Sequence, residues 1–227
     1  MTNDVSKEII KWADHSEWTF APQQERSRKT LVKIVDAAVS LFSAKGFENT
    51  SVMDISRESG VSVGAIYTRF ADKEAILHTV FSSYYRTRKD QFDALTEPEL
   101  WQGKNVTDVV TFYINILFSS FRQDAGMLRV AERQRLSNPF LAESGASVNR
   151  HVADRLGAML ELHANCIGGD VRTKAKYLHN ILRNALVVAI LQDTSPVPPA
   201  LAIATSEFQS EALAMALAYL GLDSENR

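Results

Sequence analysis

The residues whose types and spacing point most directly to chemistry lie in the segment from Thr50 to Phe70. Its second half combines small residues with residues that form hydrogen bonds: Ser62, Val63, Gly64, Ala65, Tyr67, Thr68 and Arg69. Small residues let a helix backbone enter the major groove of DNA, where base edges are contacted. Hydroxyl groups and backbone N–H groups at the start of a helix bind phosphate. The segment therefore predicts non-covalent recognition of duplex DNA.

A helix-turn-helix is the element that would position these residues. Its inward-facing positions are apolar: Val52, Ile55, Val61, Ile66 and Phe70. Gly60 allows a positive φ in the tight turn between the two helices. A preceding helix, predicted from about Ser27 to Lys45, carries an apolar stripe at three- and four-residue steps. We expect the second helix of the motif to pack on that stripe.

The same stretch resembles the N-terminal DNA-binding domain of the TetR family of bacterial transcriptional repressors. The resemblance covers about residues 27 to 80. The matching positions are Gly46-Phe47, Thr50-Ser51-Val52, Ile55, Gly60-Val61-Ser62, Gly64, Ile66-Tyr67, Phe70 and Lys73-Glu74. A helix-turn-helix pattern with this preceding helix and this following Tyr-x-x-Phe-x-x-Lys-Glu is highly specific.

The resemblance assigns roles to individual residues. Thr50 and Ser62 would hold phosphates through their hydroxyls and the adjacent N–H groups, which matches their predicted positions as helix caps. Ser51 is the alternative to Thr50 as a cap. Tyr67 and Lys73 look like the family's other phosphate contacts. The candidates for approaching base edges are Val63, Gly64, Ala65, Thr68 and Arg69. The sequence departs from the family at Ser56, Ser59 and Ala65.

The composition of the chain limits the classes of protein to which it could belong. The chain has 227 residues, of which 45% are hydrophobic, enough for a sizeable core. Its single cysteine, Cys166, excludes an internal disulfide and predicts a reducing, cytoplasmic compartment. No apolar run reaches the roughly 20 residues that span a bilayer, so no membrane partner is expected. The formal net charge is −2, but residues 22–90 hold eleven basic and eight acidic residues, which favours a local basic face.

The pattern of the whole chain predicts an all-α fold. Glycine and proline are few, and hardly any stretch alternates apolar and polar residues for long enough to form a strand. We predict nine helices after an acidic N-terminal extension. The predicted domains are the extension at 1–21, a three-helix helix-turn-helix domain at 22–72 and a larger ligand-binding and dimerisation bundle at 73–227. The extension is too acidic to contact phosphates.

Beyond residue 95 the resemblance is limited to architecture, which implies a bundle that binds a small molecule and forms a homodimer. The predicted pocket has an apolar wall of Phe81, Tyr84, Tyr85, Phe112, Ile116 and Met127, with Arg129, Glu132, His151 and Arg183 as polar groups. The predicted dimer interface, on the last two helices, contains Leu178, Ala185, Ala189, Phe208, Ala212 and Met215. The alternative is that these residues belong to the core of a single chain.

Three functions compete at this stage. The first is a dimeric repressor that binds a palindromic operator in double-stranded DNA and responds to a small-molecule effector. The second is an all-helical enzyme, although the sequence has no Glu-x-x-His pair, glycine-rich phosphate loop or nucleophile motif. The third is a DNA-binding regulator controlled by a protein partner. No cofactor is predicted, and no metal, because His151 and His163 lack paired metal-ligand spacing.

Overall fold

The computed structural model describes residues 25–192 and 206–222, which form nine α-helices and no strand. The helices are α1 (Glu25–Lys45), α2 (Val52–Ser59), α3 (Val63–Tyr67), α4 (Lys73–Leu95), α5 (Val106–Gln123), α6 (Ala125–Gln134), α7 (Pro139–Glu161), α8 (Val171–Gln192) and α9 (Ser206–Leu220). A short 3-10 helix, Pro98–Trp101, follows α4. The predicted all-α class is confirmed. The predicted acidic extension, residues 1–21, lies outside the described residues.

Local signals explain where the N-terminal helices begin and end. Helix α1 ends at Lys45, and Gly46 follows with a φ of 84°, a conformation that costs glycine little. Helix α4 begins after Asp72, whose Oδ1 accepts a hydrogen bond from the Ala75 N–H over 2.7 Å. Gly60 adopts a φ of 67° at the C-cap of α2, as the predicted turn requires.

The described chain divides into two compact units, and the first contains residues 25–88 and 129–145. Its buried core includes apolar residues of α1 together with the inward positions of the helix-turn-helix: Leu31, Ile34, Val35, Ala38, Phe42, Ile55, Val61, Ile66 and Phe70. Ile66 is buried, whereas Gly64, Tyr67 and Thr68 are exposed, which fixes the face of α3 that points outward. This unit therefore positions the candidate DNA-binding residues.

The second unit contains residues 89–128, 146–192 and 206–222. Its core is formed mainly by α5, the C-terminal part of α7, α8 and α9. The apolar stretch of α5 is buried. Within the described chain, no helix combines the length and apolar character required to span a membrane. The division by packing falls inside α4, whereas the predicted boundary lies after residue 72, which stays a prediction.

Candidate nucleic-acid interface

The N-terminus of α2 is closed by a capping box between Ser51 and Asp54. Ser51 Oγ accepts a hydrogen bond from the Asp54 N–H over 3.1 Å, and Asp54 Oδ2 accepts one from the Ser51 N–H over 3.0 Å. Lys45 Nζ lies 2.9 Å from the same carboxylate oxygen. The Ser51 backbone N–H, followed by Lys45, holds the pKa of the Asp54 carboxyl well below its usual range. A permanent negative charge thus occupies this helix end, where a phosphate would otherwise be favoured.

The position of Thr50 corrects its predicted role. Thr50 is buried, and its Oγ1 donates a hydrogen bond to the Gly46 carbonyl over 2.8 Å. The hydroxyl therefore ties the end of α1 to the start of α2 and does not face solvent, where a phosphate would lie. Ser51 is the exposed hydroxyl of the pair, and it serves as the helix cap.

Two serines that depart from the family pattern stabilise the turn between α2 and α3. Ser56 Oγ donates to the Val61 carbonyl over 2.6 Å. Ser59 Oγ accepts from the Val61 N–H over 3.2 Å. Alanine at these positions would leave both backbone groups without these partners. The departures therefore add two hydrogen bonds to the turn between the two helices of the motif.

Helix α3 presents a small, exposed face. Ser62 caps it by accepting a hydrogen bond from the Ala65 N–H over 3.3 Å. Ser62 and Gly64 are exposed, and Val63 and Ala65 are partly exposed. A Cβ added at Gly64 would meet no atom of the described residues within 4 Å, and the φ of Gly64 is not positive. The fold therefore does not require glycine at position 64, and the open space beside it faces outward.

The C-terminal end of α3 carries two exposed side chains and an arginine that is hydrogen-bonded within the protein. The Tyr67 side chain is 50% exposed. Thr68 is exposed and donates its hydroxyl hydrogen to the Ala65 carbonyl over 2.9 Å. Arg69 donates to that carbonyl over 2.9 Å, and its second terminal nitrogen donates to Ser27 Oγ in α1 over 3.2 Å. The Arg69 guanidinium thus links α3 to α1, which differs from the predicted approach to base edges.

Lys73, a predicted phosphate contact, is also engaged within the protein. Its Nζ donates to the Phe47 carbonyl over 2.9 Å and lies 4.1 Å from the centroid of the Phe47 ring. That ring packs edge-on against Phe42 at 5.4 Å. An ammonium group has three donors, so the carbonyl contact fixes the position of the charge and leaves further donors for a phosphate.

A second set of hydrogen bonds within the first unit joins the junction of α6 and α7 to α4 and to the loop between α1 and α2. Gln134 Nε2 donates to Glu48 Oε1 over 2.9 Å. Asn138 accepts from the Leu141 N–H at the start of α7, while its Nδ2 lies 2.9 Å from Glu74 Oε1 and 2.8 Å from His78 Nε2. Sequence spacing does not indicate these partners of Asn138 on α4, because they lie 64 and 60 positions away.

The comparisons with known proteins agree with this geometry. Residues 34–80 match the family model of bacterial regulatory proteins of the tetR family. The HTH-type transcriptional regulator HbdR of Aromatoleum sp. is 39% identical over 70 residues. A TetR-family transcriptional regulator from Mesorhizobium loti has a similar structure, with a TM-score of 0.69 and 20% identity over 88% of this chain and 98% of that one. Residues 34–80 thus form a DNA-binding domain of the tetR family type.

The extent of these matches differs between the sequence and the fold. The match to HbdR covers 29% of this chain and 31% of HbdR, so the chain matches about a third of that relative's length. The HTH-type transcriptional regulator SrpR of Pseudomonas putida is 25% identical over 88% of this chain and 79% of SrpR. The structure of FadR from Bacillus subtilis, in complex with stearoyl-CoA, has a TM-score of 0.57 at 20% identity over 86% of this chain. The structural likeness establishes a TetR fold.

The predicted ligand-binding residues fall in both units. Those in the first unit are Phe81, Tyr84, Tyr85, Arg129 and Glu132. The three aromatic rings pack against one another at centroid distances of 5.6 to 5.9 Å. Burial raises the pKa of Tyr84 to about 12, so its hydroxyl stays protonated. Glu132 is buried and accepts a hydrogen bond from Arg135 Nε over 2.6 Å.

The candidates in the second unit are Phe112, Ile116, Met127, His151 and Arg183. Met127 is buried, and the other four are partly exposed. The Phe112 ring lies 4.5 Å from that of Trp101. His151 Nε2 lies 2.7 Å from Asp93 Oδ1, so its ring faces a carboxylate of α4. The assignment of these ten residues to a ligand site stays a prediction.

The sequence did not single out a buried polar pair in the core of the second unit. Tyr113 of α5 and His179 of α8 form a hydrogen bond of 2.6 Å between the hydroxyl and Nδ1. The only local signal was a tyrosine inside an apolar stretch; the partner is 66 positions away. Among the described residues, no group of three or more histidine, cysteine, aspartate and glutamate residues could hold a metal ion.

The predicted interface residues differ in whether a partner chain could reach them. Leu178, Ala189 and Ala212 are buried in the core of their own unit. For these three the alternative, packing within one chain, is what the structure shows. The Phe208 ring lies 5.0 Å from the Phe118 ring of α5. Ala185 is partly exposed and Met215 is exposed, so these two remain available to a partner.

Proposed function

We propose that this protein is a dimeric transcriptional repressor of the TetR family that binds a palindromic operator and is released from it by a small molecule. The DNA-binding part of this proposal rests on the presence of a glycine, Gly64, within α3. Glycine within a helix costs about 0.5–1 kcal/mol relative to alanine, and no neighbour in the described fold requires it. Close approach of an external backbone or base explains a glycine here. Helix α3 is then the element that enters the major groove.

Within this proposal, the residues of α3 divide into positioning and reading groups. Tyr67 is exposed at the edge of the helix and would donate its hydroxyl to a phosphate. Thr68 has a methyl group and a hydroxyl at the exposed C-terminal end, where it would contact base edges. The basic balance of residues 22–90 would add affinity that depends on salt but not on sequence.

Binding of selected and random duplexes tests this division. An operator is first selected from a random duplex library, and fluorescence anisotropy then measures its Kd and that of a random duplex. We expect Tyr67→Phe to weaken both duplexes about equally, and Thr68→Val to change which bases are preferred. Equal losses on both duplexes for both variants would contradict the division. Absence of any preference for the selected duplex would contradict the proposed function itself.

The proposed dimer would use the exposed apolar face of α8 and α9. Tyr177, Ile181 and Val188 follow one another at steps of four and seven residues along α8 and are 45% to 61% exposed. Met215 and Tyr219, four residues apart on α9, are also exposed. Contiguous exposed apolar side chains on neighbouring helices are characteristic of protein interfaces, and a two-fold pair of such helices would form a four-helix interface.

Charge placed on this face should prevent dimerisation. Ile181→Glu is expected to give monomers with weak operator affinity, because a palindrome is bound by two recognition helices about 34–36 Å apart. Leu162→Glu is the matched control, since Leu162 has similar exposure but lies outside the proposed interface. Light scattering gives the mass of each variant. A dimeric Ile181→Glu variant would exclude this face.

The proposal of small-molecule control rests on neighbours of the same fold. FadR from Bacillus subtilis was crystallised with stearoyl-CoA, and a regulator from Saccharomonospora viridis with choline. A ligand that releases the operator must bind more weakly when the operator is bound, with a typical coupling of about 1–3 kcal/mol. Titration of the ligand with and without operator measures this coupling. Equal affinities would leave control by a protein partner as the explanation.

A further inference from the structure

Tyr113 and His179 place two polar side chains among apolar ones. They are 1% and 2% exposed, and both lie in the second unit. The surrounding core cluster includes Ile114 and Leu117 of α5 and Leu182 of α8. Polar groups in such surroundings normally have all their hydrogen bonds satisfied. The hydrogen bonds of this pair can therefore be counted.

The imidazole of His179 is neutral at pH 7. Burial, with a smaller contribution from the charge of Arg183, lowers the pKa of His179 to about 4. A neutral imidazole has one N–H donor and one nitrogen that accepts. Burial also keeps the Tyr113 hydroxyl protonated, because it raises the pKa of Tyr113. The pair thus shares two hydrogens, one on the phenol and one on the ring.

Counting donors selects the tautomer. If the tyrosine hydroxyl donates to Nδ1, both atoms of the 2.6 Å contact are satisfied and the remaining hydrogen lies on Nε2. If Nδ1 donates instead, the hydroxyl hydrogen needs another acceptor and Nε2 needs a donor. The first arrangement leaves one group to satisfy and the second leaves two. His179 Nε2 is buried and has no hydrogen-bond partner among the described residues, and in the favoured tautomer it is a donor.

We propose that His179 Nε2–H donates a hydrogen bond to an acceptor oxygen of the effector, a mostly apolar molecule with a carbonyl or carboxylate group. This inference rests on the proposed small-molecule control and names the chemistry of its ligand. The apolar side chains around the pair suit a hydrocarbon body, and one directed donor fixes its orientation. The positive charge of Arg183, one turn from His179 on α8, favours an oxygen with partial or full negative charge.

Imidazole nitrogen NMR of the full-length, ¹⁵N-histidine-labelled protein tests the donor. The spectrum of His179→Leu identifies the His179 signals by their loss, and His163→Gln is the control for an unrelated histidine. We expect the Nε2–H tautomer, with Nδ1 in the chemical-shift range of an acceptor. The Nδ1–H tautomer would overturn the proposal, because Nε2 would then accept and not donate.

Three ten-carbon probes test the ligand chemistry. Decanoate and 2-decanone present a carboxylate and a ketone oxygen, and decylamine presents an ammonium group that cannot accept a hydrogen bond. We expect one or both oxygen probes to shift the His179 Nε2 signal at submillimolar concentration, whereas decylamine should not. The arm that responds distinguishes an anionic from a neutral acceptor. A water molecule as the permanent partner of Nε2 would give no response to any probe, which would overturn the proposal.

The double variant Tyr113→Phe/His179→Leu separates binding from folding. Replacing both partners of a buried hydrogen bond by apolar groups is often neutral for stability, so the thermal midpoint should stay close to that of the wild type. The affinity for the responding oxygen probe should fall about 5- to 30-fold, the loss expected for one buried hydrogen bond. Unchanged probe affinity in a folded double variant would refute the assignment. Selective operator binding by the wild-type protein, measured without probe, shows separately whether the proposed function stands.

Discussion

Replacing Gly64 by alanine should move protein stability and DNA affinity in opposite directions. The backbone at Gly64 is helical and the added methyl group would meet no described atom within 4 Å. The variant therefore loses nothing in the free protein and gains helix propensity, worth at most about 1 kcal/mol. For a chain of this size that corresponds to a thermal midpoint higher by about 1–4 °C.

On DNA the same methyl group should cost affinity. If the α3 backbone lies against the groove, the side chain added at Gly64 must push the helix outward and lengthen contacts at one or two base pairs. Losses at a single base pair are about 1–3 kcal/mol, or about 5- to 150-fold in Kd. Urea denaturation measures the first effect, and fluorescence anisotropy with the selected operator measures the second.

Gly157→Ala is the matched control for this experiment. Gly157 lies in α7, where an added Cβ would be 3.7 Å from Ala175 Cβ, an ordinary van der Waals distance. This variant should gain stability without a change in operator affinity. If Gly64→Ala binds operator as tightly as the wild type, the α3 backbone does not approach DNA closely and the observation that carries the proposed function is lost.

The other hydrogen-bonded groups of the first unit give three further predictions. Asp54→Asn should lower the unfolding free energy at pH 7. Because the pKa of Asp54 is lowered in the folded state, the difference in unfolding free energy from the wild type should shrink as the pH falls below about 4. Urea denaturation at several pH values checks this. Lys73→Ala should weaken selected and random duplexes alike and lower the slope of log K against log salt by about 1; an unchanged slope would confine Lys73 to its contact with Phe47. Asn138→Ala should destabilise by about 1–3 kcal/mol in urea denaturation. Asn138→Asp keeps the oxygen that caps α7 and should lose less; equal losses would show that this cap oxygen contributes nothing.

The helix-turn-helix could be predicted from sequence because its determinants are local. Ile55, Val61, Ile66 and Phe70 are buried as their spacing indicates, and Gly60 has the positive φ that the turn needs. These residues act over distances of three to five positions, so periodicity and turn chemistry are sufficient to place them. The same holds for the all-α class.

The partners of the polar side chains could not be predicted in this way. Arg69 bonds to Ser27, 42 positions away, and Lys73 to Phe47, 26 positions away. Such contacts depend on where α1 and the loop after it pack, which the spacing within the motif does not encode. The Tyr113–His179 hydrogen bond likewise depends on how α5 and α8 pack together, because the two residues are 66 positions apart. A family resemblance transfers the position of a side chain, but its hydrogen-bond partners depend on the packing of this particular chain.

The hydrogen bonds that hold Arg69 within the protein also limit how α3 could distinguish bases. With the Arg69 guanidinium directed to α1 and the Tyr67 hydroxyl assigned to a phosphate, the face of α3 that would meet bases has the hydroxyls of Ser62 and Thr68. Its other side chains, at Val63 and Ala65, are small. A bidentate arginine–guanine contact, the commonest specific contact in the major groove, is then disfavoured unless Arg69 leaves Ser27. Apolar contacts between these small side chains and thymine methyl groups remain favourable. Base recognition by this protein should therefore depend on shape and methyl contacts more than on charged donors, which is why a single methyl group at Gly64 is expected to matter.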